Sequence, residues 1–481
     1  MMIDTLITQP EGKTLEFKRD LSSPKPLLRS LVAFANTAGG RLIIGVDDKQ
    51  QITGVDQPLD EEERLCNLIA DSISPRLVPN IELVTIQGKT LLVVEVFVSG
   101  TRPHWINAEG VENGVYVRLG STNRQADREL IAELHRSAEG MPFDEMPMPD
   151  LSIDDIELAE ARELFVGISD LNEQSLLTLK LLTHHQGRLV PTKGAILLFG
   201  KQRNMYFPDA WVQCGRFIGT DKSNIFDHID IRDNLPKAVE SIMQFLKKHA
   251  MRGADFSEIR RKDVWSIPLS ILREAIINAL IHADYSQRGA PTRISFFDDR
   301  IEIENPGILL PGLTIEDVRQ GISKIRNHVI ARVFHELNLI EQWGSGVNRI
   351  FSEAKEQNLP EPEIMEIGMR VRFIIRLAQP INIQKSSRDE ERLESGLESG
   401  LESRLESGLA ARVLLALRIN PLGKAQIAKI LGHQSVSSGL HKQVRRMLEL
   451  GFIEMTLPDE PTSRLQKYRL TNKARELINM I

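Results

Sequence analysis

Two groups of polar residues are spaced for chemistry. In the first, Glu16 and Lys18 alternate with Leu15 and Phe17, so a strand over these residues turns an acid and a base to one side. A second apolar strand, expected over Leu42 to Val46, runs into two more carboxylates, Asp47 and Asp48. An acid and a base facing one way beside two further acids is unusual for a purely structural hairpin. In the second group, ILREAIINALIHADY (Ile271 to Tyr285) places Leu272, Ile276, Ala279 and Leu280 at helical spacing. Glu274, Asn278 and His282 then fall four residues apart on one face. An amide oxygen suits Mg²⁺ as a hard ligand, and a neighbouring carboxylate can orient water. The plain alternative is a solvated helix face. His282, a lone histidine on a helix, is expected to be a hydrogen-bonded structural residue.

The flanking elements must position these groups. Between Glu16 and Asp48 the sequence predicts a helix carrying Leu28, Leu31, Val32 and Phe34, broken by Asn36, Thr37, Gly39 and Gly40. Further on, VYVRLGSTNRQA (Val115 to Ala126) reads as a strand, a polar arginine-bearing turn, and a helix from near Asp127. The Asn278 helix is followed by a strand-turn-strand from Arg293 to Glu304, then Asn305, Pro306 and Gly307. Trp343, Gly344, Ser345, Gly346 and Val347 precede another helix. Glycines before a helix let backbone amides approach phosphate.

With 481 residues, 41% apolar and 26% charged, the chain has the length and composition of a soluble protein of several domains. It shows no signal peptide and no apolar run long enough for a bilayer, so a cytoplasmic location without membrane contact is expected. Cys66 and Cys214, the only cysteines, exclude a disulfide framework or cysteine-rich zinc site. His104, His335 and His433 show no metal-ligand spacing. The net charge of -6 is unevenly spread. Met1 to Gly140 holds fifteen Lys/Arg against twenty Asp/Glu, about -5; Leu409 to Ile481 holds twelve against five, about +7. The tail is therefore the candidate for nucleic-acid contact.

Two joints divide the chain. EGMPFDEMPMP, near Glu139 to Pro149, is rich in Pro and Met. From Leu393 to Leu409 a Leu-Glu-Ser-Gly unit repeats; Leu393, Leu397, Leu401 and Leu405 can form a drifting helical stripe, yet a glycine in most turns favours a linker. Beyond it, helices are expected over Ala411 to Leu417, Lys424 to Leu431, and from an N-cap at Ser435 to Leu450. The third carries His441, Lys442, Arg445 and Arg446. A two-stranded hairpin follows, with Arg464 and Lys467 near its tip.

Residues Leu15 to Asp48, together with Val115 to Ala126, resemble the Schlafen AlbA-like domain. The order from Ile271 to Val347 resembles the GHKL ATPases, in the compact form found beside Schlafen-like domains. The tail resembles winged-helix DNA-binding domains. The resemblances imply a multidomain α/β (α+β) chain: a Schlafen AlbA-like domain at 1–138 and a linker at 139–151. A middle region at 152–380 follows, with a GHKL-like α/β sandwich core at about 262–378. A repeat linker at 381–408 leads to a winged helix-turn-helix domain at 409–481.

They also imply roles. Asn278 matches the asparagine that holds Mg²⁺ against the phosphates of ATP, and Glu274 the general base where hydrolysis occurs. Glu304 and Gly307 stand in the adenine-reading loop, where the family has Asp-x-Gly-x-Gly and this chain has Glu-Asn-Pro-Gly. Gly344 and Gly346 would approach phosphate. In Schlafen endoribonucleases three carboxylates bind divalent metal; Glu11, Glu16 and Asp48 match them, and Lys18 would either neutralise the scissile phosphate or merely pair with Glu16 or Asp20. In a winged helix, the third helix and the hairpin (Ser435, His441, Lys442, Arg445, Arg446, Arg464, Lys467) would meet duplex DNA, although such domains also dock proteins. The leading expectation is an ATP- and Mg²⁺-binding, DNA-binding transcriptional regulator, with weak ATPase activity open and a homo-oligomer expected. The alternative is a metal-dependent nuclease acting on RNA or single strands. Helicase activity is not expected, because no Gly-x4-Gly-Lys-Ser/Thr loop is present.

Overall fold

The computed structural model describes residues 3–167, 170–255, 262–340, 346–377, 405, 407–417, 421–431, 436–458, 463 and 466–479. They form two compact units, Met1–Ile381 and Asn382–Ile481.

In the first unit, Leu15–Lys18 and Gly40–Ile44 pair in parallel, Leu15 opposite Arg41 and Lys18 opposite Ile44. Parallel neighbours need a crossover, and the helix Pro24–Asn36 supplies it. Lys89–Val96 and then Asn80–Ile86 extend the sheet antiparallel to four strands. Both faces are covered. Leu28, Leu31, Phe34, Leu42, Ile44 and Val94 share a core on the helix side, and Leu6, Leu15, Phe17, Ile43 and Leu91 fill the other. Glu16 shares its side with the helix, so the face read as an acid-base patch is interior. Tyr116–Leu119 packs on that helix and turns back through Thr122–Gln125, where a polar turn was expected. Leu119 faces Thr122 across a two-residue turn that Gly120 opens at φ +55°. Asp127 then caps the helix Arg128–Glu139 by accepting from Leu130 N at 2.8 Å.

A six-stranded sheet follows, in the order Ile225–Ile231, Val212–Phe217, Thr292–Phe296, Arg300–Pro306, Arg370–Arg376 and Glu363–Ile367. It therefore reaches well ahead of residue 262. Val212–Phe217 and Thr292–Phe296 are parallel, and the helices Leu235–Ala250 and Leu269–His282 lie on the path between them. Ile294, Phe296, Ile301, Ile303 and Ile375 meet Ile242, Leu246, Leu272, Ile276 and Leu280 in one large core. Strand alternation turns Arg293, Glu302, Glu304 and Arg372 to the opposite side.

The stretch read as the 139–151 linker is packed in place. Asp144 is fully buried, and its carboxylate accepts from the backbone N–H groups of His328, Val329 and Ile330 at 3.0, 2.6 and 3.0 Å. These begin the helix His328–Glu336, whose own Asn327 makes no side-chain cap. Burial pushes the Asp144 carboxyl up to about 7, against the pull of the three amides.

The second unit holds the helices Gly408–Ala416, Lys424–Ile430 and Ser438–Glu449, an antiparallel hairpin of Ile453–Met455 with Tyr468–Leu470, and the helix Asn472–Asn479. Ala411, Leu414, Ile427, Leu440, Val444, Met447 and Tyr468 share its core, which Leu405 joins. The rest of the leucine stripe, Leu393, Leu397 and Leu401, lies outside the described residues. So does Ser435; the third helix is capped by Ser437, whose hydroxyl accepts from Leu440 N at 3.2 Å. Among the described residues no helix is long and apolar enough to cross a membrane.

Replacing Asp144 strips three amides of their acceptor. Asp144→Ala is expected to cost about 1–3 kcal/mol in urea denaturation; an unchanged midpoint would show that the stretch is only draped over the domain.

Candidate functional site

Leu269–His282 is apolar on most sides, so its few polar residues stand out. Glu274, buried at 8% exposure, accepts from Asn278 Nδ2 through Oε1 at 2.8 Å and pairs through Oε2 with Arg349 Nη2 at 2.6 Å. The helix Gly346–Glu356 starts against the same carboxylate: a Cβ on Gly346 would collide with Oε1. Gly346, read from the sequence apart from Glu274 and Asn278, thus joins them in one cluster. Asn278 Nδ2 also donates to Glu274 O at 2.8 Å, which leaves Oδ1 as the atom for a cation.

Two cavities adjoin Asn278 and His282. The larger, about 490 Å³, is bounded also by Glu274, Arg332, His335 and Arg349. Its size falls within the roughly 300–1,000 Å³ of small-molecule sites. The smaller, about 110 Å³, is an apolar slot between Ala279, Ile303, Leu313, Val347 and Phe373, with Asn305 on its wall. A chamber with Arg332 and Arg349 on its wall beside an apolar slot suits a ligand with a flat apolar end and an anionic end.

The strand Arg300–Pro306 corrects one expectation. Ile301 and Ile303 face the core, so Asn305 faces it too and Glu304 points the other way. Glu304 is buried on the opposite side and pairs with Arg372 Nη2 at 2.7 Å. It is Asn305, not Glu304, that reaches the slot, and period two along this strand already contained that distinction. Gly307 lies past the strand end. Its φ of +98° and a Cβ position 2.8 Å from Asp284 Cβ both demand glycine, so it shapes the turn rather than lining the slot. Gly344 lies outside the described residues. Arg332 and Arg349, absent from the sequence reading, carried no signal beyond being cations on helices.

The carboxylates of the first domain do not converge. Glu11 accepts from Phe17 N at 2.8 Å, as a cap for its own turn. Glu16, 5% exposed, is held by Arg118 and Lys18, and Arg118 also bonds Asn123 Oδ1 at 2.9 Å. Both sheet faces are covered, so an acid there needs a buried cation, and Arg118 supplies it. Asp48 is exposed in a turn that Asp47 closes by accepting from Lys49 N and Gln51 N at 3.0 and 2.8 Å. Among the described residues no group of three or more His, Cys, Asp or Glu is placed to hold a metal ion. The expected triad of Glu11, Glu16 and Asp48 is therefore not assembled, and Lys18 serves Glu16.

In the second unit, Leu440, Val444 and Met447 face inward, while His441, Lys442, Arg445 and Arg446 are exposed on the outer side of their helix. Arg445 pairs with Glu449 at 3.1 Å. Lys467 is exposed at the hairpin; Arg464 lies outside the described residues.

Three family models match the chain. The one described as "Schlafen, AlbA_2" spans residues 11–127. The one described as "Putative ATP-dependent DNA helicase recG C-terminal" (HATPase_c_4) spans 289–375. The one described as "Filamentation induced by cAMP protein Fic-like, C-terminal domain" spans 410–471. No curated protein matches significantly. Among solved structures, the DIP2311 protein of Corynebacterium diphtheriae is 20% identical, covering 100% of this chain and 98% of its own, with a TM-score of 0.42. The N-terminal domain of a RecG-related protein of Nitrosomonas europaea is 31% identical, covering 26% of this chain and 90% of its own, with a TM-score of 0.22.

Between the cavities, the surrounding protein pushes the His282 imidazole down to about 4. A folded-state value below the unfolded one means the unfolded chain takes up the proton first, so stability falls as pH drops from about 6.5 toward 4. His282→Gln is expected to flatten that part of the stability profile in urea titrations at several pH values; an identical slope would place the loss elsewhere.

Proposed function

Because the chain joins a Schlafen AlbA_2 domain to a RecG-type C-terminal HATPase_c_4 domain, we propose that it is an ATP-binding regulator that holds duplex DNA. One observation carries the reading: the Glu274–Asn278–Gly346 cluster lies where a cation-lined chamber meets an apolar slot. The base of a nucleotide fits the slot against Ile303 and Phe373, with the Asn305 amide toward its edge. The phosphates fit the chamber beside Arg332 and His335. Asn278 Oδ1 is a suitable ligand for the accompanying Mg²⁺, which would offset phosphate charge.

Glu274 is the residue a hydrolytic reaction would call on, yet both its oxygens are occupied, by Asn278 and Arg349. Each oxygen keeps a further lone pair, so Glu274 can still orient a water beside these partners, and the arrangement leaves both a nucleotide held as a signal and slow turnover open.

For DNA, the support is the exposed row of His441, Lys442, Arg445 and Arg446 on the third helix of a three-helix-plus-hairpin unit with a tail charge near +7. In a winged-helix mode that row enters the major groove and Lys467 touches phosphate, with two copies reading two half-sites. The nuclease reading lacks comparable support, since Glu16 is consumed by Arg118 and Lys18.

Titration of the full chain with a fluorescent ATP analogue and Mg²⁺ tests the first part. Asn278→Ala is expected to weaken binding by about tenfold or more, roughly 1.4 kcal/mol; equal affinity would remove the nucleotide reading. A duplex-DNA gel shift tests the second: the Lys442→Ala/Arg446→Ala double variant is expected to bind more weakly with a shallower salt dependence. An unaltered shift would move DNA contact away from this helix.

A further inference from the structure

Residues Ile308 to Leu313 form one wall of the slot, through Ile308, Leu309, Leu310 and Leu313. The other side of the same segment belongs to the Schlafen AlbA_2 half. Ile308 is buried in a cluster with Val115, Val117, Leu130 and Leu134. Gly312 N donates to Thr37 O at 2.8 Å. Glu366 joins the two halves: one carboxylate oxygen accepts from Leu309 N at 2.8 Å, and the other pairs with Lys13 Nζ at 2.5 Å. That pair is nearly buried, with side-chain exposures of 10% and 2%, so it is held where water does not compete.

Thr37 carries the connection onward. Its hydroxyl accepts from Arg118 N at 2.9 Å, and the Arg118 guanidinium binds Glu16, which also holds Lys18. Hydrogen bonds joined through the covalent frames of Thr37 and Arg118 thus lead from Gly312, beside the slot wall, to the Glu16–Lys18–Arg118 cluster. Lys18 is its partly exposed end, at 29% side-chain exposure.

We propose that the Ile308–Leu313 segment makes the AlbA_2 half a sensor of the slot. A base entering the slot presses on a wall that cannot move without moving Thr37, and Lys13–Glu366 is the positioning pair that keeps wall and sensor in register. The proposal rests on the nucleotide reading above and adds its regulatory target: nucleotide occupancy sets the arrangement of the Glu16–Lys18–Arg118 cluster.

The test is hydrogen exchange on the full chain, with and without Mg²⁺ and a non-hydrolysable ATP analogue, in the wild type and in Lys13→Met/Glu366→Gln. The double variant removes both charges of the pair, the buried Arg326 that also faces Glu366 keeps Glu133 as its ion-pair partner, and the oxygen of the introduced amide keeps an acceptor for Leu309 N. In the wild type, the analogue is expected to slow exchange near Asn278, in 308–313, and also at 36–40 and 116–119, by about fivefold or more. In the variant, protection near Asn278 is expected to persist while that at 36–40 and 116–119 is lost. Protection confined to 274–282 and 308–313 in the wild type overturns the proposal and leaves the nucleotide reading standing. Protection of the AlbA_2 amides that survives in the variant overturns the role of the Lys13–Glu366 pair. No protection near Asn278 overturns both readings.

Discussion

The carboxylate of Glu274 is the constraint around which the middle domain is arranged. A buried acid must be met by donors, and this one recruits an amide four residues along its own helix and a guanidinium from another. Gly346 follows from the same demand, because any side chain there would occupy the place of Oε1. Once helix Leu269–His282 and helix Gly346–Glu356 are locked to one carboxylate, Asn278 has a fixed orientation and the two cavities have a common wall. The candidate site is a consequence of neutralising one charge.

The same requirement recurs across the first unit, and each time it joins segments distant in sequence. Asp144 is met by the amides of a helix 184 residues later, which fastens the inter-domain stretch to the six-stranded sheet's helical layer. Glu16 is met by Arg118 and Glu366 by Lys13. Replacing either cation alone would strand a buried carboxylate, the costly way to break such a pair. These contacts also explain why the AlbA_2 and ATPase-like halves belong to one compact unit.

What was legible in the sequence was whatever period and local spacing encode. Apolar spacing located the helix that became Leu269–His282, and four-residue spacing put Glu274 and Asn278 together. Alternation correctly set Glu16 and Lys18 on one side of their strand, but it could not say that this side would be covered by the helix Pro24–Asn36. Burial of a face is decided by what packs on it, and Arg118, 102 positions away, was invisible to a local reading. The Pro- and Met-rich stretch around Asp144 looked like a linker because its partner lies in another part of the chain. The family's acid points to Glu304, whereas alternation with Ile301 and Ile303 points to Asn305.

A structure of the full chain with Mg²⁺ and a non-hydrolysable ATP analogue decides whether the slot and chamber at Asn278 are one nucleotide site. The base is expected in the slot between Ile303 and Phe373 with Asn305 at its edge, the phosphates beside Arg332, and the cation on Asn278 Oδ1. A nucleotide bound on the Glu304 side of the sheet, or an empty slot at saturating analogue, would contradict it.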